Sequence, residues 1–219
     1  KSVNDNTKQM VMTPRPCKVE FDGVTFTHAI NGGDSLVTVN NGKLKFCSVG
    51  GQDYFIDPNQ NILTKKSIPA ILFEVDNTKP FTMSAKVIPT FTKEGLYNAA
   101  DFLVFVNDTL TQKLCYEQDE YGGHRVVSVR TQGTSDDNNH DLINEPYVYF
   151  KISSDTHTIA SYYSRDGKAW HMVRLYKNYY PTKLYLGIAS QCPKKGKNTC
   201  TFENLKFSQN NVGDFRLGN

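Results

Sequence analysis

Glu117 and Asp119 stand two residues apart in a strand-like run, residues 110–119, so both carboxylates project from one face together with Lys113. Paired carboxylates on one face are what glycoside hydrolysis needs, one as proton donor and one as nucleophile or base. Glu120 falls one position too early to join them, while Leu110, Leu114 and Tyr116 take the opposite face. If the apolar set faces a core, the charged set faces outward, either as a solvated surface or as partners for sugar hydroxyls. Oxygen atoms concentrate again in Ser135-Asp136-Asp137-Asn138-Asn139-His140-Asp141, which reads as a polar loop. Asp136, Asp137 and Asp141 offer the hard ligands that calcium prefers, but EF-hand spacing and a closing Glu are missing, and an Asx-rich turn has the same composition. The five histidines are scattered singly, which leaves zinc or a histidine-based triad without support.

The elements that must position these groups are almost all strands. Residues 159–163 and 170–174 alternate about Arg165-Asp166-Gly167-Lys168, a hairpin in which the glycine takes a positive φ and the single Trp, Trp170, is expected to anchor the core. Asn40-Asn41-Gly42 joins the runs 36–39 and 43–47 as a second hairpin. Further runs at 24–26, 70–75, 81–89, 125–130, 147–153, 183–191 and 199–207 carry the same period of two. Residues 102–106 are apolar throughout and read as a strand buried on both faces. No amphipathic helix of ten residues or more and no internal repeat is visible. About a dozen half-buried strands imply two packed antiparallel sheets, an all-β sandwich, and a groove if one sheet curves. Residues 1–13 are polar and patternless and read as a loose arm; residues 14–219 read as one domain.

Composition excludes more than it selects. A net charge of +3 with interleaved signs offers no sustained basic face for nucleic acid, and no stretch of 18 apolar residues spans a membrane. Aromatic residues at 12%, with 12 Tyr, suit sheet faces on which sugars stack. Five cysteines without a CxxC pair argue against a zinc–sulfur site. Cys192 and Cys200 bracket the loop PKKGKNT and read either as a disulfide, fitting an oxidising compartment, or as two reduced thiols at neighbouring strand ends.

In their order along the chain, Gly51-Gln52-Asp53-Tyr54-Phe55, Lys113-Leu114-Cys115-Tyr116-Glu117, Ser135-Asp136-Asp137, Tyr163 to Trp170, Gly187 to Pro193 and Phe202-Glu203-Asn204-Leu205 resemble the concanavalin A-like lectin/glucanase superfamily. Within it the chain is most similar to the uncharacterised sandwiches of the "regulation of enolase" type, related to the C-terminal domain of β-xylosidases. The resemblance implies a concanavalin A-like jelly roll with a carbohydrate-related role. It also implies a glucanase-like acidic strand, in which Glu, Asp and Glu alternate, although the spacing of Glu117, Asp119 and Glu120 departs from that pattern.

These readings lead to a secreted or periplasmic protein, its signal peptide removed, that binds an oligo- or polysaccharide without catalysis and without a required cofactor. Asp53, Tyr54, Phe55, Lys113, Glu117, Asp119 and Gln191 are the expected ligand-binding residues. The alternatives are a glycoside hydrolase acting through Glu117 and Asp119, and a module that presents its Tyr-rich face to another protein.

Overall fold

Alternating apolar and polar residues make most of this chain strand, and the computed structural model, which describes residues 12–219, shows where each run goes. The chain opens with β1 (Arg15–Phe21), β2 (Val24–Ile30), a 3-10 turn (Gly33–Leu36), β3 (Val37–Asn40) and β4 (Lys43–Val49). Two short strands follow, β5 (Tyr54–Phe55) and β6 (Lys65–Lys66), then β7 (Ala70–Asp76), β8 (Phe81–Pro89), β9 (Ala99–Asn107) and β10 (Leu110–Gln118). The remainder is β11 (His124–Gln132), β12 (Thr134–Leu142), β13 (Val148–Ser154), β14 (Thr158–Ser164), β15 (His171–Lys177), β16 (Lys183–Gln191) and β17 (Lys197–Ser208).

Two antiparallel sheets form a β-sandwich. One has eight strands in the order β1-β2-β7-β16-β9-β10-β11-β12, the other seven in the order β15-β14-β13-β8-β17-β4-β3. Every β8 position with its side chain turned inward, from Phe81 and Met83 to Ala85 and Val87, is buried, and each polar position between them is half-exposed. Facing it across the sandwich are Ala100, Phe102 and Val104 of β9 and Leu184, Leu186 and Ile188 of β16, all in one apolar cluster. Burying a side chain the size of Phe102 stabilises by about 1.5–3 kcal/mol, so this layer outweighs any single polar contact below. The Asn-Gly turn between β3 and β4 has both residues at positive φ, 51° and 71°, as a two-residue hairpin requires.

The eight-stranded sheet is buried on its other face too. Residues 53–68, with the β5–β6 pair, lie across that outer face, where Tyr54, Ile56 and Ile68 pack on Leu72, Leu103, Phe105 and Ala189. This explains why β9 is apolar at both parities, as expected for residues 102–106. It also corrects the reading of Tyr54: the ring is 1% exposed and its hydroxyl donates to the Asp108 carbonyl at 2.8 Å, so it fastens this crosspiece and offers no ligand platform.

Two other expectations are corrected, and the two open readings of Cys192 and Cys200 are separated. Residues 134–142, read as a loop, form strand β12 on the sheet edge, paired to β11 through the backbone although almost every side chain is polar. Trp170 does not anchor the core. It is half-buried on the outside of the seven-stranded sheet, beneath the Lys151 ammonium at 3.9 Å and against Gly218 of the C-terminal tail. Cys192 and Cys200 are both free thiols. The Cys192 thiol points to the Lys195 carbonyl and that of Cys200 to the Ala99 carbonyl, since Cys200 faces the inter-sheet core and Cys192 the loop. Residues 1–11 of the expected N-terminal arm lie outside the described residues.

Candidate functional site

On the outer face of the eight-stranded sheet, β10 presents Lys113, Cys115 and Glu117 at alternating positions, opposite Leu114 and Tyr116 in the inter-sheet core, as its period of two requires. The face is not solvated. Lys113 is only 3% exposed, because the crosspiece bearing Asp53 lies over it. Its ammonium donates to Asp53 Oδ1 at 3.2 Å and to Gln191 Oε1 at 2.9 Å. Gln191 Nε2 in turn donates to Glu117 Oε1 and to the Tyr97 carbonyl, both at 2.9 Å. Register accounts for the last contact: Gln191 and Glu117 flank Ala99 on the two neighbouring strands, and the small Ala99 side chain lets the longer two meet above it.

These groups line a cleft of about 480 Å³. Five of the seven expected ligand-binding residues line it: Asp53, Phe55, Lys113, Glu117 and Gln191. Tyr97, Glu120, Asp137 and Asn139 join them, together with the apolar Ile62, Leu63, Val127 and Val129. Glu120, which alternation placed on the wrong face, reaches the cleft because the chain leaves the strand at Gln118.

Asp119, like Tyr54, is an expected residue that lies outside the cleft. Beyond the end of β10 its Oδ1 caps a turn, accepting the N–H groups of Tyr121 at 3.0 Å and Gly123 at 2.8 Å, and its Oδ2 pairs with Arg125 Nε at 2.8 Å. Burial works against its charge, but Arg125 and the turn N–H groups outweigh it and hold the carboxyl below the usual range. The hydrolase alternative built on Glu117 and Asp119 thus loses its second carboxylate. The calcium reading fails in a similar way, because the three aspartates serve different partners. Asp136 pairs with Arg174 at 3.5 Å, Asp137 lines the cleft, and Asp141, within the bulge that interrupts the β11–β12 register, accepts the Tyr163 hydroxyl. Among the described residues no group of three or more His, Cys, Asp or Glu side chains could hold a metal ion.

One buried acid escaped the sequence reading. Asp101 lies on the outer face of β9 between Ala189 and Cys115 on the neighbouring strands. It is fully buried, and neither carboxylate oxygen has a hydrogen-bond partner. Burial raises its carboxyl to about 7 although Lys113 pulls the other way. Glu117 is pushed well above the usual range for the same reason, with Asp101 and Asp53 adding to the effect of burial and Lys113 opposing it. Burial disfavours the Lys113 charge as well, yet Asp53 and the other anionic groups outweigh it, and the ammonium stays protonated. The signal for Asp101 was present as a lone acid inside the apolar run AADFLVFV.

Residues 30–210 match a family described as "Protein of unknown function (DUF1349)". No curated protein matches the sequence significantly. Among solved structures, a functionally unknown protein from Saccharomyces cerevisiae superposes with a TM-score of 0.74 at 21% identity, over 83% of this chain and 95% of that one. The GH43 protein BlXynB from Bacillus licheniformis aligns with 95% of this chain at TM-score 0.62 and 13% identity, but this chain spans only 40% of its length. Lectin I-B4 from Griffonia simplicifolia gives a TM-score of 0.55 at 11% identity, over 79% of this chain and 90% of the lectin. At these identities the likenesses are of fold alone, a sandwich shared by lectins and by a part of glycoside hydrolase chains. The match over residues 30–210 is of another kind, and by it the chain belongs to the DUF1349 family.

Proposed function

We propose that this protein binds carbohydrate, an oligosaccharide or the end of a polysaccharide, in the cleft floored by Lys113, Glu117 and Gln191, without cleaving it. The observation that carries the reading is the linked chain Asp53–Lys113–Gln191–Glu117. It fixes four polar side chains in advance, each oriented by another, which lowers the cost of ordering them around a ligand. Among the described residues, Asp53 Oδ2 and Glu117 Oε2 accept no hydrogen bond within the protein, so each is free for a sugar hydroxyl. The volume, about 480 Å³, suits one or two sugar rings. The lectin and GH43 likenesses accord with this reading, as does the finer resemblance to the regulation-of-enolase sandwiches and to β-xylosidase C-terminal domains. The same proposal treats residues 14–219 as one domain and puts the protein where polysaccharide is met, secreted or in the periplasm. Calorimetric titration against plant and bacterial cell-wall oligosaccharides tests it: saturable binding that competes within the panel supports it, and no heat from any sugar at millimolar concentration refutes it.

A further inference from the structure

Part of the cleft's lining is apolar, and recognition of hydroxyl groups leaves it unexplained. Residues 57–64 form a loop tied from within: the Asp57 carboxylate accepts the N–H of Asn59 at 2.8 Å and of Leu63 at 2.9 Å, and Thr64 Oγ1 accepts the Asp57 N–H at 3.0 Å. Asp57 is itself buried, so the loop is preorganised. What this loop holds in place is apolar. Ile62 is 68% exposed and Leu63 63% exposed, and both line the cleft. The half-buried Phe55 packs with Val127 and Val129, which stand on the floor directly beside Cys115 and Lys113 and bring apolar surface to it. An isolated exposed aliphatic side chain needs no explanation, but two adjacent ones held in the lining of a cleft do.

We infer that the ligand of this cleft is an amphipathic glycoside, a sugar carrying an aryl or alkyl substituent, with the sugar on the Lys113–Gln191–Glu117 floor and the apolar group against Ile62, Leu63 and Phe55. The inference rests on the carbohydrate reading above and adds the second half of the ligand. The lining of the cleft thus carries two chemistries, the fixed polar chain from Asp53 to Glu117 and the exposed aliphatic pair Ile62 and Leu63. An unsubstituted sugar would satisfy the first and leave the second wet. An apolar group of phenyl size seated on that pair would withdraw both aliphatic side chains from water, enough to tighten binding by about tenfold.

The test compares methyl and 4-nitrophenyl glycosides of the same sugars by calorimetry, on the wild type and on the double variant Ile62→Ser, Leu63→Ser. The inference expects the nitrophenyl compound to bind the wild type about tenfold more tightly than its methyl counterpart, and the double variant to bring that ratio close to one. Equal affinity of the two glycosides for the wild type overturns the inference and leaves the carbohydrate reading standing. A ratio that survives in the variant overturns it as well, because the apolar group then sits elsewhere. If neither compound of any pair binds, both readings fall. The wild-type comparison stands without the variant, so misfolding of the latter would not protect the proposal.

Discussion

Asp101 and Asp119 are both almost wholly withdrawn from water, one across the β9–β10 ladder beside Cys115 and the other two residues past Glu117, and they have opposite electrostatic fates. Asp119 sits in a turn where Arg125 Nε and two backbone N–H groups point at its oxygens, so its charge is compensated and its carboxyl acidified. Asp101 sits on a sheet face where neither of its oxygens has a hydrogen-bond partner and Lys113 only partly offsets burial, and its carboxyl is raised to about 7. Burial alone does not set the state of a carboxylate; the donors aimed at it do. The turn builds a structural charge, while the sheet face stores acids that are reluctant to ionise beside the buried ammonium of Lys113.

The largest effect should come from removing that cation. Lys113→Met keeps the length of the side chain but strips Asp53 and Gln191 of their donor and leaves the surrounding carboxylates unopposed. Breaking a buried pair from one side costs about 3–5 kcal/mol. Urea denaturation at neutral pH should show a loss of that order, and a loss below about 1 kcal/mol would mean that Asp53 turns out to water when its partner goes.

Next is the pH dependence that Asp101 imposes. An acid whose folded pKa is raised holds its proton in the folded state while the unfolded chain has released it, so stability falls as pH rises from the unfolded value toward about 7. Between an unfolded value of about 4 and that folded value the loss reaches at most ~4 kcal/mol, and less if the site relaxes or admits water. Asp101→Asn cannot ionise, so its stability at pH 8 relative to pH 5 should exceed that of the wild type by about 2–3 kcal/mol. Parallel stability curves for the two proteins over that range would show that Asp101 is not the group responsible. Glu117, raised in the same direction, contributes a residual slope in the variant.

How much of this was legible follows from the kind of order each part has. Strands β8 and β13 announce themselves through apolar side chains at every second position, because one face is core and the other is not. In β12, Ser135 is the sole buried residue among nine, and its membership of the sheet is a matter of backbone pairing that composition does not record. The cleft was half visible. Alternation placed Lys113 and Glu117 on one face of β10, but the same rule, carried past Gln118, sent Asp119 to the cleft and Glu120 away from it. Gly122-Gly123 marked the turn, and a turn invalidates parity. Whether the outer face was wet or covered depended on a crosspiece with only two short strands, where Tyr54 looks like any surface tyrosine until its neighbours on β9 and β16 are known.

Glu117 carries the contrast into function. Its free oxygen faces the cleft, so Glu117→Ala should weaken sugar binding by about 1–3 kcal/mol, the cost of leaving a hydroxyl and the Gln191 amide unpaired. Calorimetric titration of wild type and variant with one sugar that the wild type binds measures it. Unchanged affinity would remove Glu117 from the site; loss of polysaccharide cleavage with binding retained would replace the binding reading with an enzymatic one.

The smallest effect sharpens the comparison most, because it should appear in stability and be absent from binding. Asp119→Asn retains one acceptor for the turn N–H groups but gives up the charge opposite Arg125, a contact at the protein's edge where Arg125 is partly solvated. A loss of about 1 kcal/mol is expected at neutral pH. The sign with pH is opposite to that of Asp101: a carboxyl held below its usual value stabilises the fold at neutral pH, and that contribution is lost as pH falls below about 4 and the group protonates. The difference between wild type and Asp119→Asn should therefore shrink on acidification, whereas the difference between wild type and Asp101→Asn shrinks there from the other side. Sugar affinity should be the same in Asp119→Asn as in the wild type, since the side chain is spent on its turn and does not line the cleft. A tenfold loss of affinity in this variant would return Asp119 to the site and reopen the paired-carboxylate chemistry that its turn now withholds.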